Sequence, residues 1–315
     1  MIKLIDEKNF KNIMQQEVEP YLAERVKHCY FDSFDSQKLH YESYENENSK
    51  ACVVILHGFT ESAEKFRETA YYFLNEGYSV LSLDLRGHAL SYRKSEAPFV
   101  ISIDSFMEYA EDLNCFIDNV VLPFNKDKPV YIFSHSLGST AVLLYLKNNP
   151  DKVKKAVLSS PMICGNMGMP VIIANTVAKL LCAVGGKSTP APGRCKFNPE
   201  EKFESSDATS KARFEYYHQK RIADKLLQTS GPSFDWVKAS VKARDDILSM
   251  DKISTKLLIF KPEQDKQLLS SYLELFAKKH GIEPVFIKGA KHEIFQSDNS
   301  ALEGYYLKIS EFFDE

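Results

Sequence analysis

Short apolar runs alternate with helix-patterned segments along most of this chain. Ala51-Cys52-Val53-Val54-Ile55-Leu56, the stretch from Tyr78 to Leu83, Val130-Tyr131-Ile132-Phe133 and the stretch from Val153 to Ser159 are apolar and β-prone. Runs of this kind predict strands buried on both faces of a parallel sheet, because a half-exposed strand would alternate polar and apolar positions. Between them lie helical patterns over roughly 62–75 and from about Asp104 to Val121. In the second pattern Phe106, Tyr109, Leu113, Phe116, Ile117 and Val120 share one face, and Ser105 with Glu108 can close a capping box. After Phe133 the chain passes through Ser134-His135-Ser136-Leu137-Gly138 into the helix-forming run Ala141 to Leu146, which ends before Pro150. Upstream, residues 1–27 read as a helical segment, and His28 to Tyr44 as a hairpin turning near Asp35-Ser36-Gln37.

The alternation stops at Pro161. From there to about Arg244 the pattern is helix-like and irregular with no buried strand, and Pro190, Pro192, Gly193 and Pro199 mark an extended loop within it. Sheet pattern resumes with Lys256 to Phe260, a helix around 267–280, the strand Pro284 to Ile287 and a terminal helix from Ala301. Alternating strands and helices with short links predict a mostly parallel sheet flanked by helices. Residues 1–160 and 246–315 are therefore expected to form one α/β core domain, with 161–245 inserted as a mainly helical cap.

Composition narrows the partners. The chain has 315 residues, 44% hydrophobic, and a net charge of −3. That balance lacks the basic excess of a nucleic-acid binder. Its six cysteines form no Cys-x-x-Cys pair, so buried reduced thiols are expected, not a disulfide framework. The first eight residues become charged too soon for a signal peptide. No apolar run reaches the roughly 18 residues that cross a bilayer. These features predict a cytoplasmic protein with at most a peripheral membrane contact.

The chemistry starts at Ser136. A strand entering a helix through Ser-x-Ser-x-Gly describes a nucleophile elbow, where the turn is so tight that its neighbours must be small. Ser134 stands where the usual pattern has glycine. An elbow serine needs a base and a group to orient that base, following later strands in the order acid then histidine. The strand ending at Phe260 leads to Glu263-Gln264-Asp265, and the strand ending at Ile287 leads to His292. Asp265 and His292 thus stand where the acid and base are required. Glu263 is the rival acid, and Asp298 a weaker one that caps the last helix. Singly, each residue reads as an ordinary turn residue; together, in this order after three separate strands, they point to nucleophilic catalysis. The oxyanion hole requires two backbone N–H groups. Leu137 follows the nucleophile, and Phe59 follows the strand end at His57-Gly58.

These pieces resemble a known family. His57-Gly58-Phe59, Asp84-Leu85-Arg86-Gly87-His88-Ala89-Leu90-Ser91, His135-Ser136-Leu137-Gly138, Ser160-Pro161-Met162, Glu263-Gln264-Asp265 and His292-Glu293-Ile294-Phe295 are similar to serine α/β-hydrolases of the monoacylglycerol lipase and lysophospholipase branch. The resemblance covers about residues 28–312. It implies the α/β-hydrolase fold, with Ser136 as nucleophile, Asp265 as acid, His292 as base and the Phe59 and Leu137 amides as oxyanion hole. It implies no metal and no organic cofactor. Ala212-Arg213-Phe214 and Gly231 to Val237 are similar to segments of bacterial lysophospholipases. A lysophospholipase is therefore the leading expectation. Monoacylglycerol lipase or general carboxylesterase comes next, then a peptidase of the superfamily, then a catalytically silent binding protein. Arg86 and His88 are expected to shape the loop beside the site. In the cap, Ile173, Val177, Leu180 and Val184 form one apolar stripe after Pro170, with Met162, Met167 and Met169 ahead of it. Met162, Ile173 and Val177 are the expected substrate contacts. The stripe reads either as an acyl-chain wall or membrane-resting patch, or as a face packed on its own domain. Head-group preference and oligomeric state are not encoded in any of these patterns.

Overall fold

The apolar runs become the middle of a sheet. A computed structural model describes residues 2–184, 188–191, 196–251 and 253–315. Pro192, Gly193 and Cys195 lie outside the described residues. Among those described, the strands in chain order are β1 Val26–Asp32, β2 Lys38–Tyr44, β3 Cys52–Leu56, β4 Ser79–Leu83, β5 Val100–Ile101, β6 Val130–His135, β7 Lys155–Ser159, β8 Gly231–Pro232, β9 Lys256–Pro262 and β10 Val285–Ile287. Eight of them form one sheet in the order β1-β2-β4-β3-β6-β7-β9-β10. The β1–β2 and β2–β4 pairs are antiparallel, and every later pair is parallel.

Both faces of this sheet are covered. Val54, Ile132, Leu158 and Ile259 enter one apolar cluster, while Val53, Ile55, Phe133, Val157 and Phe260 enter the other. Adjacent residues on a strand point to opposite faces, so a strand buried on both must be apolar throughout. Each fully buried Val, Leu or Ile side chain contributes about 1.5–3 kcal/mol relative to exposure.

The helices are α1 Phe10–Ile13 and α2 Glu19–Ala23, joined by a wide turn at Met14–Val18, then α3 Arg67–Asn75. Next come α4 Met107–Phe116, a second wide turn at Ile117–Val121, and α5 Leu122–Asn125. The remainder are α6 Leu137–Asn148, α7 Val171–Ala183, α8 Lys211–Ala223, α9 Phe234–Ser249, α10 Ser270–His280 and α11 Asn299–Asp314. The capping box before α4 forms: Glu108 accepts the Ser105 N–H at 3.0 Å, and the Ser105 hydroxyl accepts the Met107 N–H at 3.2 Å. The helical path runs on past Val121 because Pro123 falls in the first turn of α5, where its missing N–H costs little.

Register sets where chemistry can happen. Leu56 lies opposite both Leu83 and Ser134, and Ser159 lies opposite both His135 and Phe260. The residues that leave β3, β6, β7 and β9 therefore emerge along one edge of the sheet, where ligands of open parallel sheets bind.

Between β7 and β9 the chain contributes no strand to this sheet. It does form a strand that the sequence pattern did not suggest: β8 pairs parallel with β5 over two residues. The boundary expected at residue 245 falls inside α9. Trp236, Ala239, Ala243 and Ile247 of α9 join the same apolar cluster as Ile132 and Leu158, so α9 belongs to the helical layer on the sheet. Helix α8 is fastened to the core by Arg213, which is fully buried. Its Nη2 and Nε donate to Glu68 of α3 at 2.8 and 3.0 Å, and its Nη1 donates to the Ser297 carbonyl at 3.2 Å. Helix α7 is fastened differently, by small side chains alone: Ala174, Ala178 and Cys182 are its buried residues.

Candidate active site

Ser136 sits between β6 and α6 with φ 48° and ψ −112°, a conformation that L-residues avoid. The strained turn lifts its hydroxyl off the sheet edge, and its N–H donates to the Ser159 carbonyl at 3.0 Å. Gly138 explains the tightness. A Cβ there would lie 2.5 Å from the Leu56 carbonyl oxygen and 2.7 Å from that of His57. Ser134, in place of the usual glycine, is accommodated because its hydroxyl donates to the Val157 carbonyl at 3.0 Å and lies 2.9 Å from the Ser139 hydroxyl.

The structure brings Ser136, His292 and Asp265 together from three separate loops. His292 Nε2 is 3.0 Å from Ser136 Oγ, and His292 Nδ1 is 2.8 Å from Asp265 Oδ2. The other carboxylate oxygen of Asp265 accepts the N–H groups of Gln267 at 2.8 Å and Leu268 at 3.1 Å. Glu263 is directed elsewhere and accepts the Gly289 N–H at 2.8 Å. Asp298 caps α11 by accepting the Ala301 N–H.

Charge is distributed unevenly along this chain. Burial raises the cost of ionising Asp265, yet the His292 ring and the two loop N–H groups outweigh it, and the carboxyl titrates below its usual range. Burial likewise disfavours charged His292, but Asp265, helped by Asp207 and Glu293, holds the ring above the ordinary histidine value. An ionised Asp265 keeps the proton on Nδ1 and leaves Nε2 free to accept from Ser136. His135 lies beside His292, ring centroids 4.8 Å apart and planes tilted by 53°, and burial holds its pKa well below the usual range, which keeps it neutral. A reaction that needs neutral His292 loses rate as pH falls through its raised value. The acid limb of kcat/KM is therefore expected above pH 6.5, the ordinary histidine value. Asp265→Asn should lower the rate and move that limb to more acidic pH. An unmoved limb in a pH profile of the variant would remove Asp265 from the assignment.

Leu137 opens α6, and Phe59 follows the end of β3. Glu61 shapes the second loop by accepting the Gly58 N–H at 2.6 Å. It also accepts Lys65 Nζ at 2.9 Å, and Lys65 reaches Glu293, the residue after His292, at 2.5 Å. Sequence reading passed over this bridge. Its signal is the four-residue spacing of Glu61 and Lys65 just after His57-Gly58. Arg86 is buried away from the cavity, paired with both Asp112 and Asp35, and the His88 ring donates from Nδ1 to the Arg86 carbonyl at 3.0 Å.

Above Ser136 opens a cavity of about 670 Å³. Met162 and Val177 line it, as do Phe59, Met167, Phe234 and Trp236, while Asp207, Gln267 and Lys196 supply polar groups. Ile173 does not line it. Most of the α7 stripe faces outward: Val184 is 80% exposed, Leu180 64% and Ile173 52%. The buried residues of the helix are the smaller Ala174, Ala178 and Cys182. Among the described residues no group of three or more His, Cys, Asp or Glu is placed to hold a metal ion, and no helix is long and apolar enough to cross a membrane.

The profile of a family described as Serine aminopeptidase, S33, matches residues 47–299. The chain is 28% identical to lysophospholipase L2 of Escherichia coli (strain K12) over 283 residues, covering 85% of this chain and 82% of that protein. It is 30% identical to a monoacylglycerol lipase of Mycolicibacterium smegmatis over 133 residues, 42% of this chain and 45% of the other. Among solved structures, a monoacylglycerol lipase of Paleococcus ferrophilus superposes with a TM-score of 0.67 at 19% identity, covering 87% of this chain and 98% of that one. A soluble variant of the Saccharomyces cerevisiae monoglyceride lipase superposes with a TM-score of 0.70 at 16% identity over 92% and 94% of the two chains.

Proposed function

The chain belongs to the Serine aminopeptidase, S33, family of α/β-hydrolases, and on that premise we propose that it is a lysophospholipase working through a Ser136–His292–Asp265 triad. It is a carboxylic ester hydrolase of the lipase and lysophospholipase branch. The observation that carries the finer reading is the hydrogen-bonded chain from Ser136 Oγ through His292 to Asp265 at a cavity whose wall joins apolar side chains such as Phe59, Met162 and Trp236 to polar ones such as Lys196 and Asp207.

Ser136 attacks the ester carbonyl while Nε2 of His292 takes its proton. The tetrahedral oxyanion rests on the Phe59 and Leu137 amides. His292 then hands the proton to the departing alcohol, leaving the acyl chain on Ser136. Water, deprotonated by His292, releases the fatty acid. The reading requires no metal or cofactor. A cavity of this volume encloses one ligand of drug size and so fits a single acyl chain. Lys196 at its wall offers a cation to a phosphate-bearing head group. The extent of the match to the Escherichia coli lysophospholipase L2 supports the same substrate class.

Residues 161–233 act as the cap in this reading, and the exposed face of α7 rests on the lipid surface from which substrate is drawn. Five free thiols among the described residues fit a reducing, cytoplasmic setting.

A matched panel tests the reading: lysophosphatidylcholine, a monoacylglycerol of the same chain, short p-nitrophenyl esters and an aminoacyl amide. Highest kcat/KM on lysophosphatidylcholine is expected. A preference for the monoacylglycerol would move the chain to the neighbouring activity, and a preference for the amide would discard the lipase reading. The double variant Ile172→Ser/Leu180→Ser is expected to slow hydrolysis of vesicle-held lipid several-fold and leave p-nitrophenyl butyrate hydrolysis unchanged. Equal effects on both would detach α7 from the lipid surface.

A further inference from the structure

Two neighbouring parallel strands end alike. Beyond β6 stands Ser136 with φ 48°, and beyond β7 stands Ser160 with φ 47°. The strain at Ser136 comes with the elbow. Ser160 takes no part in the chemistry described above, yet it shares the positive φ of Ser136. Glycine enters this region freely, as at Gly77, Gly87 and Gly281, and Ser160 is one of seven non-glycine residues held there among those described. A side chain kept where glycine would relax the backbone calls for something the side chain does.

Its hydroxyl donates to the backbone carbonyl of His292 at 2.7 Å. Its N–H donates to the Phe260 carbonyl at 3.1 Å, on the strand that leads to Asp265. Ser160 is 1% exposed, so no water competes for either bond. His292 needs the support. It lies outside any helix or strand, between β10 and the short turn Ile294–Gln296. Asp265 fixes the rotation of the ring through Nδ1, and the Asp207 carbonyl holds the next N–H, that of Glu293, at 3.1 Å, but neither holds the His292 carbonyl. The same carbonyl accepts a second bond only from the Ile294 N–H at 3.1 Å, within its own loop. The bond from Ser160 is the one that ties this carbonyl to the sheet.

We propose that Ser160 is a positioning residue for His292: its hydroxyl, delivered by a strained backbone, pins the peptide from which the ring reaches Ser136. The proposal rests on the triad reading. Displacements of an ångström in such a constellation cost about a hundredfold in rate, and loss of one of several supports costs less.

Three proteins decide it: the native chain, Ser160→Gly and Ser160→Ala. Glycine relieves the backbone and removes the hydroxyl; alanine removes the hydroxyl and keeps the strain. Each is followed by thermal melting, by kcat and KM on p-nitrophenyl butyrate, and by the rate of fluorophosphonate labelling. Ser160→Gly is expected to melt at or above the native temperature while kcat and the labelling rate fall about tenfold and KM stays within twofold. Ser160→Ala is expected to show the same kinetic loss with a lower melting temperature. A purely structural serine predicts the reverse for glycine, a stable protein with native kcat, and that result would overturn the proposal. If the native protein itself fails to label, the triad reading fails instead, so the two failures are told apart.

Discussion

The Ser136→Ala protein will fold, and it will hydrolyse ester at a rate four to six orders of magnitude below the native chain. The size of the loss follows from the path the mechanism takes. Without Oγ there is no acyl-enzyme, and His292, whose Nε2 lies 3.0 Å from that atom, has no nucleophile to deprotonate. The fold is spared because the substitution removes one atom and leaves intact the N–H bond to Ser159 and the carbonyl bond from Met162. Fluorophosphonate labelling with hydrolysis of lysophosphatidylcholine measures both halves. Labelling that persists in the variant would place the nucleophile elsewhere in the chain.

The second large effect belongs to a residue that touches no substrate. Gly138→Ala drives a Cβ to within 2.5 Å of the Leu56 oxygen, 2.7 Å of the His57 oxygen and 2.9 Å of the Leu56 carbonyl carbon. All three are backbone atoms at the end of a central strand, and none can swing aside as a side-chain tip would. Either α6 lifts from the sheet or the end of β3 is pushed outward. The first moves the Leu137 amide and the second moves Phe59, so the oxyanion hole proposed above opens on one side or the other. Overpacking of this kind costs about 1–3 kcal/mol or more, and a misplaced oxyanion donor costs about a hundredfold or more in kcat. The expected result is a protein with a melting temperature lowered by several degrees, whose titratable active sites turn over at no more than one per cent of the native rate. Native melting and native turnover would show that the helix and strand can separate without consequence for the site.

The legibility of this chain follows from which interactions sit close in sequence and which do not. The strands were readable because a strand buried on both faces has no freedom in composition: Val53 and Val54 enter opposite clusters and both must be apolar. The order of Ser136, Asp265 and His292 was readable because parallel strands deliver their following residues to one edge whatever lies between. Sequence reading preferred Asp265 to Glu263, and the structure adds the contacts of each. The two differ in which oxygen meets the His292 ring and which meets the Gly289 N–H, a matter of loop geometry.

For α7 the pattern left the choice open. A stripe of large apolar residues and a stripe of small ones repeat with the same helical period, and periodicity does not tell that Ala174, Ala178 and Cys182 are the buried ones. The bond from Ser160 to His292 and the long arm of the Lys65 bridge, to Glu293, were invisible because each joins residues more than a hundred positions apart.

The contrast between α7 and α8 carries an evolutionary consequence. Helix α8 is stapled by a buried ion pair, and removing one member of such a pair costs about 3–5 kcal/mol, so Arg213 and Glu68 cannot drift independently. The outward residues of α7 carry no such obligation. Ile172, Leu180 and Val184 contribute next to nothing to folding, since each is mostly solvated already. Random mutation can rewrite that face residue by residue, with stability as a silent spectator. On the proposed docking of α7 to lipid, selection acting on a single helix re-addresses the chain, with the sheet and its reaction centre inherited unchanged.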